Sequence, residues 1–317
     1  MTPRLAALTA GAALVLAGQA AAGRQASPAA RPAEGQTASF RSGIDLVSLA
    51  VTVTDASGRY VTDLGEGDFT VYEDGVRQDV GFFSRTSSSL SAALLIDSSA
   101  SMESRMRIAR AAALGFVESL RSQDQVQVVD FDSRVAVVAP FTTSRQEIDA
   151  AVRSIDAGGS TSLYTAIYVA LRELKKTEAR SIEEQRRQAI IILSDGEDTS
   201  SLVAYDTVLD LAKRSDTVIY AIGIDAQAIR ETKGFNEAAY VLRELTTQTG
   251  GRAFFPERDE DLPAIYAHIS RELSSQYLVG YASANPKRDG QWRRVTVRVS
   301  RAGASARAKA GYFAPAR

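Results

Sequence analysis

The chain has 317 residues, 45% of them hydrophobic and 24% charged, which is enough to bury a full core and ordinary for a globular protein. Its formal net charge of −1 excludes a global electrostatic pull toward nucleic acid or an anionic membrane. The absence of cysteine excludes disulfides, thiolate zinc centres, iron–sulfur clusters and cysteine nucleophiles.

Residues 1–22 read as a secretory signal peptide. Arg4 supplies the positive start, residues 5–18 are an apolar run, and Ala20-Ala21-Ala22 offers a small-residue cleavage site. The run is short for a membrane span, and no later segment is long and apolar enough to cross a bilayer. The expected mature protein is exported, periplasmic or extracellular. Residues 23–37, rich in Ala, Pro, Gln and Gly, form a linker with nothing to bury.

Residues 38–88 are expected to be a β segment. Val47, Leu49, Val51 and Val53 alternate with Ser48, Ala50, Thr52 and Thr54, the period of a half-buried strand. Residues 69–72 make a second strand, closed by Glu73-Asp74-Gly75, and residues 80–83 a third. Residues 276–317 have the same texture: 277–281 is a strand, Val295, Val297 and Val299 alternate with polar residues, and 307–313 gives one more. Neither end carries enough strands to bury a core alone, so the two are expected to pack as one small β-sandwich.

Between them, residues 89–275 alternate apolar strands (92–96, 126–131, 135–138, 189–193 and 218–222) with helices (105–119, 162–175, 205–215, 237–248 and 261–274). Continuous apolar strands separated by helices predict an α/β fold with a doubly wound, mostly parallel, Rossmann-like sheet. Residues 135–138 follow their predecessor too closely for a helical crossover and predict an antiparallel edge strand.

The chemistry concentrates where the first of these strands ends. Asp97, Ser99 and Ser101 stand at alternate positions after the run Ala92-Ala93-Leu94-Leu95-Ile96, so three oxygen ligands leave a buried strand together. Gly158-Gly159-Ser160-Thr161-Ser162 opens a helix, and Ile190-Ile191-Ile192-Leu193-Ser194-Asp195-Gly196 ends another buried strand. Parallel strands share one carboxyl edge, where open α/β sheets place their ligands, so Asp97, Thr161 and Asp195 can meet. Oxygen-only ligation suits a hard divalent cation, Mg²⁺ or Mn²⁺.

In these residues the chain resembles the von Willebrand factor type A family with its metal-ion-dependent adhesion site. The pattern D-x-S-x-S, then a Thr, then a strand-ending Asp falls on Asp97, Ser99, Ser101, Thr161 and Asp195. Ser160 and Ser162 are alternatives to Thr161. The ends resemble a bacterial group of exported proteins carrying this domain, through Asp68-Phe69, Glu73-Asp74-Gly75 and Gly311-Tyr312-Phe313-Ala314-Pro315. The resemblance implies a non-enzymatic adhesion or protein-binding module whose cation takes a carboxylate from a protein partner. It also implies that the last helix, 261–274, can move on binding.

Other classes find less support. Val128-Val129-Asp130-Phe131-Asp132 superficially resembles the nucleophile loop of haloacid-dehalogenase-like phosphatases, but Arg134 stands where that loop wants Thr or Val. His268 is the only histidine, so a Ser–His–Asp arrangement would have to use it. Within a late helix it reads as a surface or packing residue. Of Arg293, Arg294, Arg298, Arg301, Arg307 and Lys309, several alternate with Val and read as the wet face of a strand, where they would also guard an edge, rather than as a nucleic-acid surface. A metal-independent structural or scaffolding module shares the predicted fold.

Overall fold

The computed structural model describes residues 46–85, 88–177, 186–194, 197–224 and 236–316. The leader and linker expected over 1–37, and Asp195 with Gly196, lie outside the described residues.

The central layer is a six-stranded sheet. In chain order its strands are β5 (Leu90–Asp97), β6 (Gln125–Phe131), β7 (Val135–Thr142), β8 (Arg187–Ser194), β9 (Thr217–Gly223) and β10 (Ala253–Phe254). Their order across the sheet is β10-β9-β8-β5-β6-β7, parallel except for β7, which pairs antiparallel with β6 at the edge. The chain builds one way from β5 to β6 and β7, then returns to the other side of β5 for β8, so the strand order reverses between β5 and β8.

Alternation along β5 sends Leu90, Ala92, Leu94 and Ile96 to one face, and Ala93 and Leu95 to the other. The first face packs on α1 (Met106–Ser119), α2 (Arg145–Arg153) and α6 (Leu262–Ser274) through Phe116, Ile148, Tyr266 and Ile269. The second packs on α3 (Leu163–Lys176), α4 (Tyr205–Arg214) and α5 (Glu237–Thr249) through Ile167, Val208 and Leu245. With both faces covered, β5, β8 and β9 read as nearly continuous apolar runs. Among the described residues no helix is long and apolar enough to cross a membrane.

The ends of the chain build two antiparallel four-stranded sheets. Their strands are β1 (Leu46–Thr54), β2 (Phe69–Glu73), β3 (Val76–Gln78), β4 (Val80–Arg85), β11 (Tyr277–Ala282), β12 (Trp292–Val299), β13 (Ser305–Arg307) and β14 (Gly311–Phe313). The orders are β13-β1-β11-β4 and β14-β12-β2-β3, so each sheet combines two strands from either end, alternating in the first and side by side in the second. Leu49, Val51, Phe69, Val71, Tyr277, Val279 and Val297 fill the space between the sheets. The expected sandwich from the N- and C-terminal segments is therefore present. Asp74 (φ 48°) and Gly75 (φ 84°) turn β2 into β3, both in the left-handed region that Asp and Gly tolerate.

The structure corrects several expectations. Helix α2 lies in a stretch where no element is expected from the sequence; Ser144 caps it, accepting from the Glu147 amide at 3.4 Å. The edge strand β7 runs on to Thr142. Arg293 is not on a wet face, and β12 is an interior strand. Arg293 shares the face of Val295 and Val297, is 3% exposed, and donates to Glu73 at 3.2 Å; Glu73 is itself 2% exposed. Tyr281, Tyr312 and Ser283 also donate to Glu73, so the buried carboxylate is held by four side chains. Arg307 is turned toward Glu272 and the Gly250 carbonyl, and Lys309 toward Asp216.

Glu272, fully buried on α6, joins the two parts of the molecule. It accepts from Tyr220 of β9 at 2.6 Å, Thr52 of β1 at 3.3 Å, Tyr60 at 3.3 Å, and Arg307 of β13. His268, one turn earlier, has Nε2 2.8 Å from the Tyr60 hydroxyl and packs against Tyr60 and Phe254. It is a packing residue with no serine–carboxylate arrangement built around it among the described residues.

Candidate metal centre

Asp97 closes β5 at the carboxyl edge of the sheet, beside β8 and thus at the strand-order reversal. In open α/β sheets that crevice is where ligands sit. Asp97 is fully buried. One carboxylate oxygen accepts the Ser99 amide at 2.9 Å, and the other accepts the Ser194 hydroxyl at 2.6 Å. The first bond folds the chain into a turn just past the strand. The second ties β5 to the last residue of β8.

That turn sets the next two oxygens. Ser99 Oγ and Ser101 Oγ are 3.0 Å apart, Ser99 buried and Ser101 exposed. The turn is fastened on both sides. The Ser98 amide donates to the Phe131 carbonyl of β6 at 2.9 Å. Gly158 donates to the Ser98 carbonyl at 2.6 Å, and Ala100 to the Gly159 carbonyl at 3.0 Å. Gly159 has φ 79°, and a Cβ there would stand 3.0 Å from a carboxylate oxygen of Asp132, so a glycine fits both the conformation and the space.

These bonds bring the 158–162 loop against the Asp97 turn. Thr161, two residues past Gly159, is buried. Its carbonyl accepts the Thr199 and Ser200 amides at 2.9 and 3.0 Å, and its amide donates to Thr199 Oγ1 at 2.9 Å. Ser160 and Ser162 each bond Ser200 Oγ at 2.9 Å. Asp198 accepts the Tyr164 amide at 3.2 Å in the first turn of α3. The loop after β8, the one that carries Asp195, is therefore laced to the Thr161 loop by backbone and side chain alike. Asp97, Ser99, Ser101 and Thr161 lie on two loops bonded to each other; Asp195 follows Ser194, whose hydroxyl touches Asp97.

Ser194, Asp198, Thr199 and Ser200 were not singled out from sequence. Ser194 looked like the end of an apolar strand, but the run Glu197-Asp198-Thr199-Ser200-Ser201 is the kind of polar cluster that caps helices and ties loops.

Among the described residues no three His, Asp or Glu gather as a carboxylate–histidine cluster. The donors here are of another kind, one carboxylate with neutral hydroxyls. Such a set fits a hard cation while cancelling little of its charge. Asp97, with both oxygens already engaged, suits holding a bound water or neighbouring hydroxyl as well as direct ligation.

Asp130, on β6 beside this turn, is half-buried, and its Oδ1 lacks a hydrogen-bond partner among the described residues. Burial pushes its carboxyl up, and a bond with Ser98 opposes the shift. Asp132 turns back on its own loop, accepting the Arg134 amide at 2.7 Å. The two acids of the phosphatase-like string thus face different surroundings, and Asp132 is committed to a turn.

Comparison with known proteins agrees with this architecture. The profile of the von Willebrand factor type A domain matches residues 93–268. A solved von Willebrand factor type A structure from Catenulispora acidiphila is similar over 87% of this chain and 76% of its own, with a TM-score of 0.52 and 15% identity, a likeness of fold. Proximal thread matrix protein 1 from the mussel byssus, solved with a zinc-occupied MIDAS motif, is similar over 63% of this chain and 48% of its own, at TM-score 0.47 and 18% identity. An uncharacterised protein of Borreliella burgdorferi is 29% identical over 176 residues, 50% of this chain and 49% of the relative. The chain spans about half the length of that curated relative.

Proposed function

The chain belongs to the von Willebrand factor type A family, and from that premise we propose that it is an exported, non-enzymatic adhesion module that engages an acidic group of a protein partner through a bound divalent cation. The observation that carries the reading is the crevice at the strand-order reversal. There Asp97 reaches across to Ser194, the Ser99 and Ser101 hydroxyls converge, and the Thr161 loop is bonded to the same turn.

Asp97, Ser99, Ser101, Thr161 and Asp195 would hold the ion, Mg²⁺ or Mn²⁺. When bound, the ion supplies a hard positive centre that draws a partner carboxylate. Ser99 and Ser101 contribute neutral oxygens, so that charge survives for the partner. Asp97 fixes the turn that presents them. Ser160 and Ser162 are both committed to Ser200, which supports Thr161 as the ligand of that loop. Export rests on the leader-like residues 1–22.

Calorimetric titration of the full chain with Mg²⁺ and with Mn²⁺ tests the site. Binding by the wild type, lost on Asp97→Ala with the circular dichroism spectrum retained, is the expected result. A wild type that ignores both ions overturns the metal reading and leaves a metal-independent scaffold on the same fold. Pull-down from a cell envelope with and without chelator then names the partner, which should be retained only with metal.

A further inference from the structure

A second concave surface lies at the amino-terminal edge of the central sheet, opposite the strand ends that carry Asp97. There a concave cleft of about 570 Å³ opens between the last turn of α4, the start of β1, the 283–291 connection and β14. That is the size of a site for a small ligand or a short peptide segment. Six cations line it (Lys213, Arg214, Lys287, Arg288, Arg293 and Lys309) against one acid, Asp216.

Part of that charge is already matched. Arg293 is held by Glu73, Arg214 by Asp210 and Lys309 by Asp216. Lys213 rests 5.1 Å from the centre of the Trp292 ring. Neither Lys213 nor Lys287 has a carboxylate partner among the described residues. The cleft therefore keeps a positive excess on a chain whose total charge is −1.

The strand at its rim decides what kind of anion fits. On the side of β1 away from β11, β13 covers only Thr52–Thr54. Among the described residues, nothing pairs with the same edge from Leu46 to Val51. Leu46, Val47 and Ser48 line the cleft. An open strand edge offers alternating backbone donors and acceptors that an extended chain pairs along its length; a free phosphate or a lipid headgroup can take the N–H groups but brings no donors for the carbonyls between them. Residues 23–45 of this chain are a poor occupant on charge, with Arg24, Arg31 and Arg41 against Glu34 and Asp45.

We infer that this cleft receives an extended acidic peptide segment of a partner protein, its backbone along the β1 edge and its carboxylates on Lys213 and Lys287. The surface is independent of the cation site and works without metal.

The test is fluorescence anisotropy on the full chain in EDTA at low ionic strength, with labelled Val-Glu-Val-Glu-Val-Glu and its Gln counterpart as probes. The Glu peptide should bind at least tenfold tighter than the Gln peptide and weaken at least tenfold in high salt. Lys287→Glu, at an exposed position that poses no folding risk, should weaken it severalfold. Lys287→Glu with Lys213→Glu should weaken it at least tenfold, and Arg298→Glu, on β12 outside the cleft, should leave it unchanged. Four results overturn the inference: no binding by the wild type, equal affinity for the Gln peptide, indifference to Lys287→Glu and the double substitution, or attachment to anionic vesicles without peptide binding. Because EDTA is present throughout, failure here is distinguishable from failure of the metal reading.

Discussion

Asp97 spends one carboxylate oxygen on the Ser99 amide and the other on the Ser194 hydroxyl. The first of these bonds is legible in sequence, because an Asp followed two residues later by a Ser past a buried strand folds into a local turn. The second is not, since Ser194 is 97 residues away and sits at the end of an apolar run. The same limit applies to His268, whose setting combines Glu272, one turn on in the same helix, with Phe254 and with Tyr60, 208 residues away. Burial lowers the His268 pKa below its ordinary 6.5; Glu272 opposes the shift, and Arg252, Arg271 and Arg307 add to it. With a depressed folded value, the unfolded chain takes the proton first as pH falls. Stability is fully present above 6.5 and is lost downward through the folded value. The thermal midpoint should therefore drop as pH falls below about 6.5, and His268→Gln should flatten that part of the profile. A wild-type and variant pair with parallel midpoints across that range would contradict the assignment.

Individual strands and helices repeat the pattern of local success and distant blindness. Five of the six central strands are readable as apolar runs, the two-residue β10 is not, and the antiparallel turn of β7 follows from the short loop before it. Helix α2 carried its own signal, Ser144 three residues before Glu147, but only Ile148, Ala151 and Val152 of its nine residues are buried, too few for an apolar period to stand out. On β12 the period-two pattern already put Arg293 in phase with Val295 and Val297. What was missing was Glu73, 220 residues away, which makes a buried arginine tolerable. Arg293→Met should leave Glu73 buried with only hydroxyl donors and cost about 3–5 kcal/mol of unfolding free energy in urea titration. Pairing it with Glu73→Leu should recover most of that loss, because the unpaired carboxylate goes too. A loss below 1 kcal/mol for the single substitution, well short of that roughly 3–5 kcal/mol, would show that the pair is solvated.

Within the described residues, a sheet covered by helices on both faces is inserted in sequence between the two segments that build the sandwich. Strand counting at each end made a shared sandwich legible; the pairing of β1 with β11 and of β2 with β12 was not, because register depends on partners the sequence does not name. A chain stopped after Ser275 loses β11 and β12, an interior strand of each sheet. Residues 46–85 should then be cut rapidly by trypsin at Arg59, Arg77 and Arg85, sites that the full chain protects for far longer. Persistent resistance would mean that β1 to β4 stand alone.

Arg85 at the end of β4 pairs with Tyr277 at the start of β11, so the chain enters and leaves the central layer at adjacent points. Tension delivered through the flanking segments then crosses the β4–β11 ladder directly. If that ladder holds, a pull on the flanking segments should leave the loops around Asp97 undistorted until β4 and β11 separate.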